Sequence, residues 1–158
     1  MENNFTEGTT ELELFINSRP CFFSTMQPKG KAQKTMMGIN INDKHQPFTE
    51  QILDGLKTIE TRNTRSLDPY CGQRVGIVRT GKGKAMLVGY ATLGKFVSHY
   101  PSPAHFDEAY SRHLVDKDSG YHISKSKTGY KFGYDLLDVE RIEPREVNSK
   151  GIVARRID

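Results

Sequence analysis

Apolar and polar residues alternate along several short segments of the chain, and this period of two is typical of half-buried β-strands. The predicted strands cover residues 38–41, 57–62, 75–79, 85–97, 132–142 and 151–157. Gly89 and Gly94 interrupt the longest of these segments. We expect bulges or sharp bends there, because the strands of a small barrel have to bend.

One segment shows the spacing of a helix instead. Its apolar residues recur three to four positions apart from Phe48 to Leu56. Pro47 suits the first turn of a helix, and Gly55 is the kind of left-handed glycine that commonly follows the last turn. Together these signals predict a helix over residues 47–54.

A second helix is predicted further along the chain. Phe106, Tyr110 and Leu114 lie four residues apart, so we expect a helix over residues 103–114. The segment that follows, residues 116–131, is polar and basic and contains glycine. We predict that it is a mobile loop.

Short strands with two interspersed helices predict an α+β fold, in the form of a small β-barrel of about six strands. Residues 1–36 differ from the rest, because residues 27–34 have the composition of a linker. Within this region, residues 11–16 predict a short strand or one helical turn. We therefore divide the chain into an N-terminal extension, residues 1–36, and a domain, residues 37–158.

The composition is that of a globular protein with a mild bias toward anionic partners. The chain has 158 residues, of which 35% are hydrophobic and 27% charged, and this suits one soluble domain. The net charge of +4 slightly favours partners such as nucleic acid. Because no apolar run approaches the ~20 residues of a membrane helix and the N-terminus is not a signal peptide, we expect a cytoplasmic protein without a membrane partner.

Neither a metal nor an organic cofactor is expected. Cys21 and Cys71 do not form a CxxC pair, and the five histidines lack metal-ligand spacing. The glycine- and lysine-containing turn at residues 80–84 lacks the strand and helix that flank a nucleotide-binding P-loop.

The segment from Gly55 to Arg62 carries the most informative chemistry. A predicted helix ends at Gly55, and a strand bearing Lys57, Glu60 and Arg62 departs at once. Three charged side chains at such a junction are costly to bury unless they are paired or used. The alternative is a solvated cluster of surface salt bridges, which would have no function.

This segment resembles the ASCH family, relatives of the PUA RNA-binding domains. Residues 55–62 match the family's GxKxxExR pattern, and residues 133–136 match its Gly-Trp-x-Leu pattern with Tyr134 in place of tryptophan. The resemblance covers roughly residues 37–157 and implies a PUA-like β-barrel with a cleft floored by the GxKxxExR segment. Some members of the family remove the acyl group from N4-acetylcytidine, and others are proposed RNA-binding or RNA-cleaving modules.

Hydrolysis of such an amide needs a nucleophile, a base and a donor to the oxyanion. Lys57 is a candidate donor as an ammonium, or a candidate base if burial lowers its pKa. Glu60 is the candidate general acid/base that activates water and later protonates the amine. The family's proposed nucleophile is a threonine at the position of Glu60, so water, or an alcohol from Thr58 or Thr61, must replace it.

Further residues are candidates for holding the substrate. Gln46 offers a hydrogen bond to a base edge, Phe48 offers a stacking face, and Arg62 can hold Glu60 or a phosphate. His113 is a candidate proton shuttle. The alternatives are a core role for Phe48 and a bond to helix carbonyls for His113. The remaining predicted substrate-binding residues are Thr58, Asn63 and Tyr134.

Strand geometry sets one condition on this site. In a regular strand Lys57 and Glu60 face opposite sides. They can share a pocket only if the strand begins after Lys57 or is bulged, and the proximity of Gly55 favours this arrangement.

Three hypotheses follow for the function. The first is an amidohydrolase acting on N4-acylated cytidine or a similar modified nucleoside. The second is a non-catalytic reader of RNA or of a modified base. The third is an RNA-cleaving module in which Lys57 stabilises charge on the phosphate.

Overall fold

The computed structural model describes residues 35–158 and the two-residue strand Arg19–Pro20. The strands are β1 (Arg19–Pro20), β2 (Met37–Asn42), β3 (Ile59–Arg62), β4 (Arg74–Thr80), β5 (Met86–Tyr100), β6 (Lys131–Glu146) and β7 (Ala154–Arg156). The α-helices are α1 (Phe48–Leu53), α2 (Pro103–Glu108) and α3 (Tyr110–His113), and two 3₁₀ helices cover Asp68–Tyr70 and Ile123–Lys125. The predicted α+β class is confirmed.

The strands form one mixed sheet in the order β3-β6-β5-β4-β2-β7, with β1 added antiparallel to β5. The β2–β4 pair is parallel, whereas the other neighbours along this order are antiparallel. The sheet is not closed, so the predicted barrel is wrong in this respect. Instead of a backbone ladder, the guanidinium of Arg62 on β3 bonds the carbonyl oxygen of Asn40 on β2 at 2.5 Å.

The long strand β5 is irregular near both glycines, as predicted. The register between β5 and β6 shifts at three places, including the step from Leu87 to Gly89. A β-carbon on Gly89 would lie 2.3 Å from the carbonyl oxygen of Glu140, so only glycine permits this approach of the two backbones.

The first helix begins and ends close to its predicted bounds. Gly55 follows it with a φ of 77°, in the left-handed region that favours glycine. Leu56, which we counted with the apolar face of the helix, is 61% exposed. The reason is that the chain has already reversed at Gly55, so Leu56 no longer belongs to the helical face.

The second predicted helix is broken in two. Ser102 caps α2, and Ala109 interrupts the helix before α3. Tyr110 is therefore 46% exposed, whereas His113 is fully buried.

The segment predicted as a mobile loop, residues 116–131, is a loop apart from the 3₁₀ helix Ile123–Lys125 and the first residue of β6, and several of its side chains are buried. His122 lies 2.9 Å from a carboxylate oxygen of Asp107, and Ile123 joins the hydrophobic core. The predicted loop is therefore attached to the core through Ile123 and to α2 through the pairing of His122 with Asp107.

The core lies between the sheet and the short helices. Ile39 of β2, Ile77 of β4, Leu93 of β5, Ile52 of α1 and Phe106 of α2 are each fully buried. This packing positions the segments that carry the charged residues discussed below. Within the described part of the chain, no helix combines the length and hydrophobicity needed to cross a membrane.

The division between residues 1–36 and 37–158 stays a prediction. Residues 11–16, for which we predicted a strand or helical turn, lie outside the described residues.

Candidate functional site

A cavity of about 300 Å³ opens at the unclosed side of the sheet. Ligand pockets in proteins span roughly 300–1,000 Å³, so this one has room for a small molecule or a single nucleotide unit. Among the described residues that line it, the charged ones are three cations and one carboxylate: Lys57, Arg62, Lys131 and Glu60.

Lys57 enters the cavity because the chain turns sharply after α1. The backbone N–H of Lys57 donates to the carbonyl oxygen of Gln51 at 2.9 Å, and β3 begins only at Ile59. Lys57 therefore lies outside the regular strand. The condition set by strand geometry is met, since the Lys57 ammonium lies 3.7 Å from a carboxylate oxygen of Glu60.

The Lys57 ammonium is held in a buried environment. It donates to the carbonyl oxygen of His113 at 2.5 Å and lies 4.8 Å from the ring centre of Phe48. The residue is 1% exposed. Burial lowers the pKa of Lys57 to about 8, against the opposing attraction of Glu60, and the charge of Arg62 lowers it further.

Glu60 lies between two cations. Besides Lys57, the Nε of Arg62 lies 3.3 Å from its second carboxylate oxygen. That Nε is buried without a hydrogen-bond partner, so the contact with Glu60 is Coulombic and is not an aligned hydrogen bond. The Glu60–Arg62 contact and the bond from Arg62 to β2 orient the carboxylate. The carboxylate oxygens stay able to accept hydrogen bonds from a ligand.

Lys131 is a cavity residue that the sequence analysis missed. We placed it at the end of a basic loop, but it begins β6 and is 4% exposed. Burial lowers the pKa of Lys131 to about 8, and the charge of Glu60 opposes this shift. Its position two residues before the Gly-Tyr-x-Leu motif is the one signal in the sequence, and this position does not by itself indicate burial.

Several predicted residues are brought together at the cavity. Lys57, Glu60 and Thr61 line it, and so do Phe48, Arg62 and Asn63. Phe48 is 5% exposed and also belongs to the hydrophobic core. Phe48 therefore has the core position considered for it, and stacking on a substrate stays a prediction.

Other predicted residues lie away from the cavity. The Gln46 amide donates to the carbonyl oxygen of Leu114 at 2.9 Å and accepts from the backbone N–H of Asp116. The Tyr134 hydroxyl donates to Asp68 at 2.7 Å. The backbone N–H of Thr58 donates to the carbonyl oxygen of Arg112, and its carbonyl oxygen accepts from the N–H of Leu136. The side chains of Gln46, Tyr134 and Thr58 do not line the cavity.

His113 reaches the site through its backbone. Its Nδ1 accepts from the backbone N–H of Val115 at 2.9 Å, so Nε2 carries the proton and donates to the carbonyl oxygen of Phe106 at 2.7 Å. Burial lowers the pKa of His113 to about 4. The ring is thus neutral, and the alternative assignment, a histidine bonded to a helix carbonyl, describes its contacts.

Four polar residues of the cavity lining, besides Lys131, were not predicted from the sequence. These are Asn40, Asn42, Thr80 and Tyr121. Both N–H donors of the Asn40 amide are used, because they bond the carbonyl oxygens of Gly151 and Ile152, and its oxygen accepts from Arg155. Asn40 therefore holds the 151–152 segment as a wall of the cavity.

Within residues 35–158, no group of three or more histidine, cysteine or acidic side chains is arranged to hold a metal ion. The fold and the cavity define an α+β domain with an open sheet and a cationic pocket.

Comparison with known proteins identifies the fold. No protein-family model and no curated protein matches the chain. The structure of an ASCH protein from Zymomonas mobilis matches it with a TM-score of 0.60 and 19% identity, over 80% of this chain and 90% of that chain. A Ser-to-Ala mutant of that protein matches with 0.61 and 17%, over 79% and 89%. A Tyr-to-Phe mutant matches with 0.62 and 18%, over 79% and 91%. The chain has an ASCH-like fold.

Proposed function

We propose that the chain is a cytoplasmic amidohydrolase that removes the acyl group from N4-acylated cytidine or a similar modified nucleoside. The observation that carries this proposal is the convergence of Lys57 and Glu60, 3.7 Å apart, in a cavity of about 300 Å³. An ammonium beside a carboxylate supplies the two groups that amide hydrolysis by water requires.

Lys57 is the donor to the oxyanion. With a pKa of about 8, Lys57 keeps its proton in roughly ten of eleven molecules at neutral pH. Its Nζ donates to the carbonyl oxygen of His113 and faces Glu60, and a further N–H can donate to the carbonyl oxygen of the substrate. In a buried site this charge stabilises the developing oxyanion more strongly than it would in water.

Glu60 is the general acid/base. Its carboxylate removes a proton from water as the water oxygen bonds to the acyl carbon, and this forms the tetrahedral intermediate. When the carbon–nitrogen bond breaks, Glu60 returns that proton to the departing exocyclic nitrogen. The products are the free amino nucleoside and the carboxylic acid. Attack by the Thr61 hydroxyl, followed by hydrolysis of the ester, is the alternative route.

The pyrimidine ring is held by the remaining lining residues. Phe48 offers an apolar contact on one side, and Asn63 and Arg62 offer polar contacts at the cavity mouth. A non-catalytic reader of RNA or of a modified base would use the same contacts. The excess of cations that line the cavity favours this second candidate if its ligand is anionic.

The proposal is tested by measuring the hydrolysis of N4-acetylcytidine through the change in its ultraviolet absorbance. The Glu60→Gln variant keeps the shape of the side chain but cannot take a proton, so we expect kcat to fall about 10²–10⁴-fold. The matched control is Glu143→Gln, which changes an exposed carboxylate on β6 in the same way.

Turnover that is equally fast in Glu60→Gln and the control would rule out the proposed acid/base. Binding of the nucleoside without turnover by the unsubstituted protein would select the reader, and cleavage of an RNA oligomer without release of acetate would select the RNA-cleaving module.

A further inference from the structure

The cavity carries more positive charge than the proposed hydrolysis needs. Three cationic side chains line it against the single carboxylate of Glu60 among the described lining residues, so two positive charges are uncompensated. Lys57 is assigned to the oxyanion, and Arg62 is already bonded to the carbonyl of Asn40. Lys131 has no role in that reaction.

Lys131 has the properties of an unoccupied binding group. The residue is 4% exposed, it lines the cavity, and no hydrogen bond or ion pair joins its ammonium to another described residue. Its ammonium lies 5.8 Å from the ring centre of Phe106, so this cation–π contact is weak. The side chain is largely removed from water, and an anion in the cavity would offset the cost of this desolvation.

We propose that Lys131 holds a phosphate group of the substrate, so that the cavity takes a pyrimidine nucleotide unit rather than a neutral nucleoside. This inference rests on the proposed function, because it uses the same cavity and the same bound pyrimidine. The phosphate lies on the Lys131 side and compensates the excess charge there. The acyl group then lies toward Lys57 and Glu60.

The lowered pKa values of both lysines agree with this assignment. A phosphate placed among them raises the pKa of each above about 8, so binding near that pH takes up protons. A neutral nucleoside has no such effect. Proton uptake therefore distinguishes a phosphate bound at these lysines from one bound at the exposed lysines of the surface.

Isothermal titration calorimetry tests the inference with cytidine, cytidine 5′-monophosphate, inorganic phosphate and a short oligocytidylate. We expect the monophosphate to bind on the order of tenfold or more tightly than cytidine, as a charge-assisted hydrogen bond gives. In Lys131→Met this ratio falls toward one, whereas Lys125→Met, at an exposed site of the 3₁₀ helix, keeps it. Tighter binding of the oligomer than of the monophosphate identifies RNA as the source of the phosphate, and the reverse order identifies a free nucleotide.

Titrations of the unsubstituted protein near pH 8, in two buffers of different ionisation enthalpy, measure proton uptake and do not depend on whether Lys131→Met folds. We expect uptake with the monophosphate and none with cytidine. Equal affinities for the two ligands, or uptake with neither, would overturn the phosphate assignment and leave the hydrolysis intact. Phosphate-dependent binding without hydrolysis of any acylated ligand would instead remove the proposed function and leave the phosphate assignment intact.

Discussion

Replacing the buried Lys57 with methionine should change how the stability of the protein depends on pH. Methionine fills a similar volume without a charge, so the variant loses a group whose pKa differs between the folded and unfolded states. In the folded state that pKa is about 8, against an ordinary value of 10.5.

The sign follows from proton binding. Between these two pKa values the unfolded chain holds more protons than the folded one, so the free energy of unfolding rises with pH. Below about pH 8 Lys57 stays charged in the folded protein, so the stability that its deprotonation adds at higher pH is absent. Integrated from neutral pH to about pH 9.5, a shift of this size gives Lys57 about 2 kcal/mol.

The assay is urea unfolding at about pH 7 and about pH 9.5, both below the ordinary pKa of tyrosine. We expect the unsubstituted protein to gain about 2 kcal/mol more than Lys57→Met between the two conditions. Lys82→Met, in an exposed turn, serves as the control and should behave like the unsubstituted protein. The same pH dependence in Lys57→Met and the unsubstituted protein would refute the claim that burial lowers the pKa of this lysine.

Two further predictions concern the same turn. For the unsubstituted protein, kcat/KM for N4-acetylcytidine should fall as pH rises through about 8, because Lys57 must keep its proton to donate to the oxyanion. A rise over the same range would make Lys57 a base and would contradict the proposed role. Gly55→Ala should cost about 1 kcal/mol in stability, because its φ is 77°, and should also lower activity by displacing Lys57. Gly83→Ala, at a φ of 74° in an exposed turn, should lose similar stability but keep its activity. An equal loss of activity in both glycine variants would contradict the claim that the turn at Gly55 positions Lys57 in the site.

Local sequence patterns could predict those elements whose boundaries are set by residues adjacent in the sequence. The helix α1 begins after Pro47 and ends before Gly55, since the φ preferences of these residues act without tertiary contacts. The convergence of Lys57 and Glu60 was also accessible, because it needs only a strand that starts late. Gly55, Lys57 and Glu60 all belong to the segment that matches the GxKxxExR pattern.

The parts that could not be predicted depend on contacts distant in the sequence. Whether the sheet closes is decided where β3 meets β2, and there a side chain of Arg62 takes the place of strand pairing. The role of Lys131 was hidden because a lysine next to a polar segment has the pattern of an exposed loop, and only the packing of α2 and β6 buries it. His113 and Gln46 were expected at the site as side chains, but their side chains bond backbone groups around it.

The most direct test of the account is a crystal structure of Glu60→Gln with N4-acetylcytidine bound, since this variant should hold the substrate without hydrolysing it. We predict that the pyrimidine occupies the cavity at the open side of the sheet, with the acyl oxygen within hydrogen-bond distance of the Lys57 Nζ. A ligand bound elsewhere on the surface, or an acyl group turned away from Lys57 and residue 60, would contradict the central claim that these two side chains form one catalytic site.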